Sequence, residues 1–444
     1  MTSGGKHLAF KKDLAQRIQK NRRALWEWQS SITRDFAPPF YCSVDLRDSG
    51  YKIVPVDSNL YPAGFNNICP DDLRTAPAVV RSQIAAMASR QERDLPEKIL
   101  VLPESHTSNA YYLENLHYLM QIIREAGFET ELGWYGPVPE GFTAPLRLKS
   151  ATEKELVATP IEVGADGMLR AGGFVPDWIL LNNDFSGGYP KLLDSVKQPI
   201  IPSHVLGWHS RKKSEHFIHY NEFAGQFASI IGIDPWSIQI ETHEVAPVDF
   251  NEELGIDQVA NVVEELLGRM GREFEKRGIS RKPIAFVKNN AGTYGMGIMV
   301  VHSADEIRKM NRRTKNKMSI GKNKMHIHSV VVQEGVPTAT LVQKLAAEPV
   351  IYLVGSELIG GFLRTNTERG IEDNLNSQGM VFKKLCMSDL RRPEQIDESF
   401  GGDLDISDDE EEGDEPVLEL VYGSIARLSA LATGKELARH LRSG

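Results

Sequence analysis

Lys288 closes an apolar run, Ile284-Ala285-Phe286-Val287, and three glycines, Gly292, Gly295 and Gly297, follow it before Ile298-Met299-Val300-Val301 returns to an extended apolar pattern. The order is strand, flexible loop, strand. Glycine amides folded over an anion, with a lysine from the preceding strand reaching the same group, suit the phosphates of a nucleotide. A Walker loop instead carries its lysine after the glycines, and both it and the dinucleotide fingerprint lead into a helix. In a protein kinase the lysine comes from a later strand. None of those orders fits here. A glycine-rich hairpin with a surface lysine remains the alternative reading of this string.

Further residues of the right types follow. Val330-Val331-Val332-Gln333-Glu334-Gly335-Val336 is an apolar strand ending in polar groups, the form of a hinge whose backbone reads an adenine edge. Tyr352 to Arg364 reads as two strands around a Gly-Ser turn, with Arg364 near the end of the second. Glu372-Asp373-Asn374-Leu375-Asn376-Ser377-Gln378-Gly379 gathers hard oxygen donors beside a glycine.

The elements that must position these groups are alternating strands and helices. Ile99 to Leu102 is a short buried strand, Leu113, Leu116, Met120 and Ile123 recur at helical spacing up to Gly127, and Phe128 to Trp134 is extended again: one βαβ unit. Trp178-Ile179-Leu180-Leu181 before Asn182-Asn183-Asp184, and Ile200-Ile201 before Pro202-Ser203-His204, add strands with polar tails. In an open parallel sheet such tails gather on one rim, where ligands bind. A helical pattern spans about Val259 to Glu275, and a Leu- and Ala-rich helix closes the chain.

The 444 residues, 41% hydrophobic and 25% charged, are those of a globular α/β protein with room for a large core. No run approaches the about 18 apolar residues of a spanning helix, and the N-terminus lacks the apolar block of a secretory signal, so no membrane association and a cytoplasmic location are expected. Three cysteines without a CxxC give neither a disulfide framework nor a thiolate zinc site, and free thiols are expected. The net charge of −9 is that of one segment: residues 403–415 hold nine acids and no base, and without them bases and acids balance at 51 each. That segment reads as a solvated linker, and the neutral body gives no general affinity for nucleic acid. The basic run 308–324 lacks the aromatic residues that stack bases and reads as surface or as a loop beside phosphates. His216 and His219, without an HExxH or a third ligand, read as packed or surface histidines, and His326 and His328 likewise.

In the order of its motifs, over about residues 205–385, the chain resembles the ATP-grasp ligases, glutathione synthetase in particular. That resemblance implies an N-terminal open parallel sheet of the pre-ATP-grasp type followed by an ATP-grasp module. It gives Lys288 as the phosphate lysine, and Gly292, Gly295 and Gly297 as the lid. Gln333, Glu334 and Val336 become the adenine hinge, and Arg364 and Asn374 the γ-phosphate side. Lys213, with Lys212 as alternative, becomes the earlier nucleotide lysine. The implied domains are 1–203 for substrate and 204–444 for ATP, with the lid at 283–335 and a flexible acidic segment at 401–416. The family's terminal Asp and Glu-x-Asn magnesium ligands have no counterpart after Tyr422; Glu372 with Asn374, and Glu357, are the metal candidates in their place.

Residues 52–67, 101–109 and 207–217, joined to the glycine loop and the Asn374 turn, extend the resemblance over nearly the whole chain to the proteobacterial glutamate-cysteine ligases. This implies ATP- and Mg2+-dependent joining of glutamate to cysteine, the first step of glutathione biosynthesis. The small molecules glutamate, cysteine and ATP would be the partners, and oligomeric state is left open, a homo-oligomer included. Arg47, Asp57, Asn59, Asn66, Asn67 and Arg211 supply the types that grip an amino acid's ammonium and carboxylate; turn chemistry accounts for them equally well. The alternatives are another ATP-grasp peptide ligase, such as one acting on γ-glutamylcysteine, and a non-catalytic ATP-sensing module.

Overall fold

Every residue of the strand Tyr41–Asp48 is buried, although Ser43, Asp45, Arg47 and Asp48 are polar or charged. Side chains alternate across a strand, so Cys42, Val44 and Leu46 enter an apolar core while Ser43, Asp45 and Arg47 face the other way. A strand of this composition needs cover on both faces. The computed structural model supplies it; it describes residues 3–105, 109–292, 297–320, 326–385 and 415–443.

Three sheets are present among these residues. The central sheet is antiparallel, in the order Met380–Leu385, Glu357–Asn366, Leu345–Val354, Tyr41–Asp48, Ile53–Asn59. Its apolar face packs on the helix Lys213–Ile231 and on the C-terminal helix Glu415–Ser443 through Phe217, Tyr220, Val421 and Ile425. A division at residue 203 cuts across this sheet, because Tyr41–Asp48 pairs with Leu345–Val354.

The lid sheet runs Thr242–Val245, Val330–Glu334, Ala285–Asn289, Ile298–Val301, also antiparallel. The amphipathic helix Ile256–Lys276 backs it with Val259, Val263, Leu266 and Met270. The sheet therefore extends beyond residues 283–335, the range expected for a lid, and takes in the strand at 242. Gly292 (φ +148°) and Gly297 (φ +63°) lie between Ala285–Asn289 and the edge strand Ile298–Val301, in backbone conformations that favour glycine. Gly295 lies outside the described residues.

The third sheet contains the expected βαβ unit: Lys98–Pro103, the helix Ala110–Glu125 and Glu129–Trp134. Glu155–Val163, Glu129–Trp134, Lys98–Pro103, Trp178–Asn182 and Ile200–Ile201 pair in parallel, with Leu146–Lys149 and Leu169–Ala171 antiparallel at the flank. The polar tail of one strand is used inside the protein: Asn182 donates to Pro62 O (2.7 Å) and Tyr41 Oη (3.0 Å), and Asn115 Oδ1 accepts from Gly64 N (2.8 Å). These bonds fasten the segment after the central sheet onto the parallel sheet. Cys42 is a buried free thiol, whereas Cys69 is disulfide-bonded, against the expectation of free thiols throughout. No helix among the described residues is long and apolar enough to cross a membrane.

Candidate active site

Where the lid sheet lies over the polar face of the central sheet, a cleft of about 620 Å³, open solvent included, is lined by residues from both. Lys288, Gly292 and Asn289 come from the lid, Lys213 from the start of a helix, and Asp45, Arg47, Asp57, Glu348 and Arg364 from the central sheet; Asn374 and Asn376 close one side. Of the residues expected from the sequence, Lys213, Lys288, Gly292, Arg364, Asn374, Arg47 and Asp57 thus meet in one place.

Lys288 is the last residue but one of its strand, and its Nζ donates to Gln333 Oε1 (2.7 Å) and Val56 O (3.1 Å). Burial pushes its pKa down to about 8, partly offset by Asp57. Lys213 pairs with Asp57. Its helix is tied to the lid, because Lys213 N donates to Asn290 O (2.8 Å) and Ser214 N to Asn290 Oδ1 (2.9 Å). Lid position and lysine position are therefore coupled.

Arg364 Nη1 donates to both Asp45 Oδ2 (2.6 Å) and Glu348 Oε1 (2.7 Å), and Arg47 Nε pairs with Glu348 Oε2 (2.8 Å). Arg47 also donates to Ile371 O (3.2 Å) and Asp373 O (2.7 Å), anchoring the turn that presents Asn374. Burial raises the Glu348 carboxyl's pKa, but Arg47 and Arg364 outweigh it and hold the group below its ordinary range. Asp45 goes the other way: burial, with Glu348 and Asp57 adding repulsion, exceeds what Arg364 gives back. Two buried atoms in this cluster, Asp45 Oδ1 and Arg364 Nε, have no hydrogen-bond partner. Buried polar atoms are almost always paired, so these mark an incomplete network.

Other expected site residues lie elsewhere. Arg211 is buried, donates to Glu436, Ser58 O and Thr433, and does not line the cleft. The Glu334 side chain turns away from the cleft to a buried pair with Lys52 (2.6 Å), and Val336 packs into the core. Gln333 contributes by holding Lys288. Glu357, at the far turn of its hairpin, lines a separate groove with Trp26 and Arg427. Glu372 stands 3.9 Å from Arg281, partly exposed and outside the cleft lining. Asn59, Asn66 and Asn67 are partly exposed and do not line it either. Among the described residues no three acidic, histidine or cysteine side chains converge as a metal cage. His216 is a packed histidine between Glu436 and Ser429. Asp45 and Glu348 escape a motif-based reading; the available signal is an acid at a core-like position in an otherwise apolar strand, as in Leu345–Val354.

A family model described as glutamate-cysteine ligase matches residues 15–437. The chain belongs to the glutamate-cysteine ligase family. A crystal structure from Methylobacillus flagellatus KT, provisionally named a gamma-glutamylcysteine synthetase, is 34% identical, with a TM-score of 0.82 over 99% of this chain and 98% of that one. D-alanyl-alanine synthetase A of Vibrio cholerae (11% identity, 64% of this chain and 73% of that one, TM-score 0.31) is far more remote. So is a glutathione synthetase-like effector of Globodera pallida (11%, 85% and 84%, 0.36). Neither supports an argument about this glutamate-cysteine ligase. Comparison with curated protein sequences returns no match.

Proposed function

We propose that this ligase joins glutamate to cysteine in the cleft between the central and lid sheets, with the ATP triphosphate lying along Lys213, Lys288 and Arg364 and the glycine loop folding over it. The observation that carries this reading is the cation cluster: Arg47, Lys213, Lys288 and Arg364 converge beneath a glycine-flanked hairpin, and Arg364 Nε is buried without a partner. Phosphoryl transfer depends on positioning and charge neutralisation more than on a protein nucleophile. A side-chain carboxylate oxygen of glutamate attacks the γ-phosphorus, and the bond to the ADP oxygen breaks. The cysteine amine then attacks the acyl carbon, the amide C–N bond forms, inorganic phosphate leaves with the C–O bonding pair, and the amine gives up its proton. The protein's part is to hold the anions: Lys288 and Arg364 on the transferring group, Lys213 on the nucleotide, Asn374 on the turn that closes beside them.

Chemistry of this class uses a divalent cation, here read as Mg2+. The residues fit one, because the cleft offers hard carboxylate oxygens and one of them, Asp45 Oδ1, is unpartnered. Asp45, Asp57 and Glu348 are the carboxylates within reach of a cation at the phosphates; when bound, it neutralises phosphate charge. A cation bridging phosphates needs only one or two protein carboxylates, so the lack of a three-residue cage is no obstacle.

Phosphate release tests the reading: purified protein with ATP and Mg2+ should release phosphate only when glutamate and cysteine are both present. Release requiring γ-glutamylcysteine and glycine would identify a synthetase instead, and no release under any of these conditions would identify an ATP sensor.

A further inference from the structure

The helix Lys213–Ile231 begins without a cap of its own, since Lys212 at the cap position is extended and its side chain makes no capping bond. The first amides of a helix have no acceptor within it and need one from outside. Here the acceptors belong to the lid sheet: Lys213 N donates to Asn290 O (2.8 Å) and Ser214 N to Asn290 Oδ1 (2.9 Å). An asparagine far along the chain does what a cap residue ordinarily does. Asn290 is itself held for the task. It is 1% exposed, its N donates to Ser329 O (3.1 Å), and its Nδ2 donates to Ser214 Oγ (3.1 Å) and Ser329 Oγ (2.9 Å).

Both hydroxyls in turn donate to Glu244 on the lid strand Thr242–Val245, Ser214 Oγ to Oε2 (2.9 Å) and Ser329 Oγ to Oε1 (3.1 Å), and Glu244 also pairs with Lys212 (3.2 Å). Burial raises the Glu244 pKa, but the bonds from Ser214, Lys212 and Ser329 outweigh it and hold the group below its ordinary range. A carboxylate beside the positive N-terminal end of a helix stabilises that end. On the other side, Asp57 pairs with the Lys213 ammonium, which lies 4.6 Å from the ring centre of Trp208. Those contacts reach the charge, whereas Asn290 reaches the backbone from which it projects. We propose that Asn290 is a positioning residue of the ligase reaction: it caps, from the lid sheet, the helix that carries Lys213, so that Lys213 is set against the nucleotide only while the lid sheet lies on the cleft. Lid closure and completion of the cation cluster are then one event, because Lys288 and the Asn290 cap arrive on the same strand end. This rests on the cleft being the nucleotide site and on Lys213 being one of its cations.

A double-mutant cycle on the full-length protein tests this, with Asn290→Ala, Lys213→Met and the pair, each titrated calorimetrically with a non-hydrolysable ATP analogue and Mg2+. Asn290→Ala should weaken the analogue by about fivefold to thirtyfold, the worth of a lost cap. In the Lys213→Met background the same change should cost nothing further, because residues that act as a unit are not additive. A loss of equal size in both backgrounds would overturn the proposal, since Asn290 would then act without Lys213, and so would an undiminished affinity in Asn290→Ala. If Lys213→Met by itself binds the analogue as the unaltered protein does, the nucleotide reading of Lys213 falls and takes the proposal with it. Should Asn290→Ala not fold, hydrogen exchange in the unaltered protein decides. The analogue should slow the amides of Lys213 and Ser214 together with those of the lid strand 285–289. Slowing of the lid strand alone would overturn the cap, and slowing of neither would remove the nucleotide reading beneath it.

Discussion

Arg211, His216 and Glu436 form one buried ion network, and Arg47, Asp45, Glu348 and Arg364 form another; the residue types are nearly the same, but the first is closed and the second is open. Arg211 donates to both Glu436 oxygens (2.8 and 3.2 Å), to Ser58 O (2.7 Å) and to Thr433, while His216 spans Glu436 (2.5 Å) and Ser429 (2.9 Å). Burial raises the Glu436 pKa, but Arg211 and His216 reverse this and hold it at about 2. In the second network Arg364 Nε and Asp45 Oδ1 are unpartnered, and Asp45 is raised. The closed set clamps the C-terminal helix onto the end of the hairpin 41–59. The open set faces the cleft. Burial and charge alone do not mark a ligand site; unsatisfied atoms within a buried ion network do.

The comparison can be broken most severely at Lys288. Lys288→Ala should lower kcat/KM by about a thousandfold or more, as loss of a phosphate-neutralising cation does, with circular dichroism and Tm near those of the unaltered protein. Activity close to normal would show that the open region is not where phosphate chemistry occurs.

The closed network should respond in the opposite way. Arg211→Met leaves Glu436 buried beside His216 without its main partner and should cost about 3–5 kcal/mol of stability, read by urea unfolding, while KM for ATP in the folded protein is unchanged. The pH dependence follows from the sign of the Glu436 shift. Its folded pKa is depressed from 4.5 to about 2, so its contribution is complete above the ordinary glutamate value and is lost as pH falls through that window. Glu436→Gln should flatten stability across the same window.

A smaller effect sharpens the account of Lys288. With its pKa lowered to about 8, the ammonium is present below that pH and neutral above it, so nucleotide affinity should fall as pH rises through about 8. Calorimetric titrations at several pH values should show this fall, and Lys288→Met should abolish the pH dependence. Smallest of all, Glu372→Gln and Glu357→Gln should change stability by no more than about 0.5 kcal/mol and leave the Mg2+ dependence of turnover unaltered.

The local elements are legible in the sequence because their signals are local. The Lys288 hairpin and the βαβ unit at 98–134 rest on runs and spacings within a few tens of residues. The central sheet is not, because Tyr41–Asp48 finds its partner in Leu345–Val354, and nothing near either strand announces the pairing. That pairing brings Arg47 and Asp57 to Arg364, and it gives Asp45 and Glu348 their place in the cleft. The same limit applies to Arg211. Its type and its nearness to Lys213 in sequence suit a substrate carboxylate, but the partner that occupies it, Glu436, comes from the far end of the chain. Glu334 differs in kind: alternation along Val330–Glu334 puts Gln333 and Glu334 on opposite faces, so only one of them can serve the cleft.

A crystal structure of the protein with a non-hydrolysable ATP analogue and glutamate tests the central claim most directly. The account predicts the triphosphate between the two sheets, with its oxygens hydrogen-bonded to Lys288 Nζ and to the Arg364 guanidinium. Phosphates seated elsewhere, for example in the groove of Trp26 and Arg427, with the cleft unaltered, would contradict it.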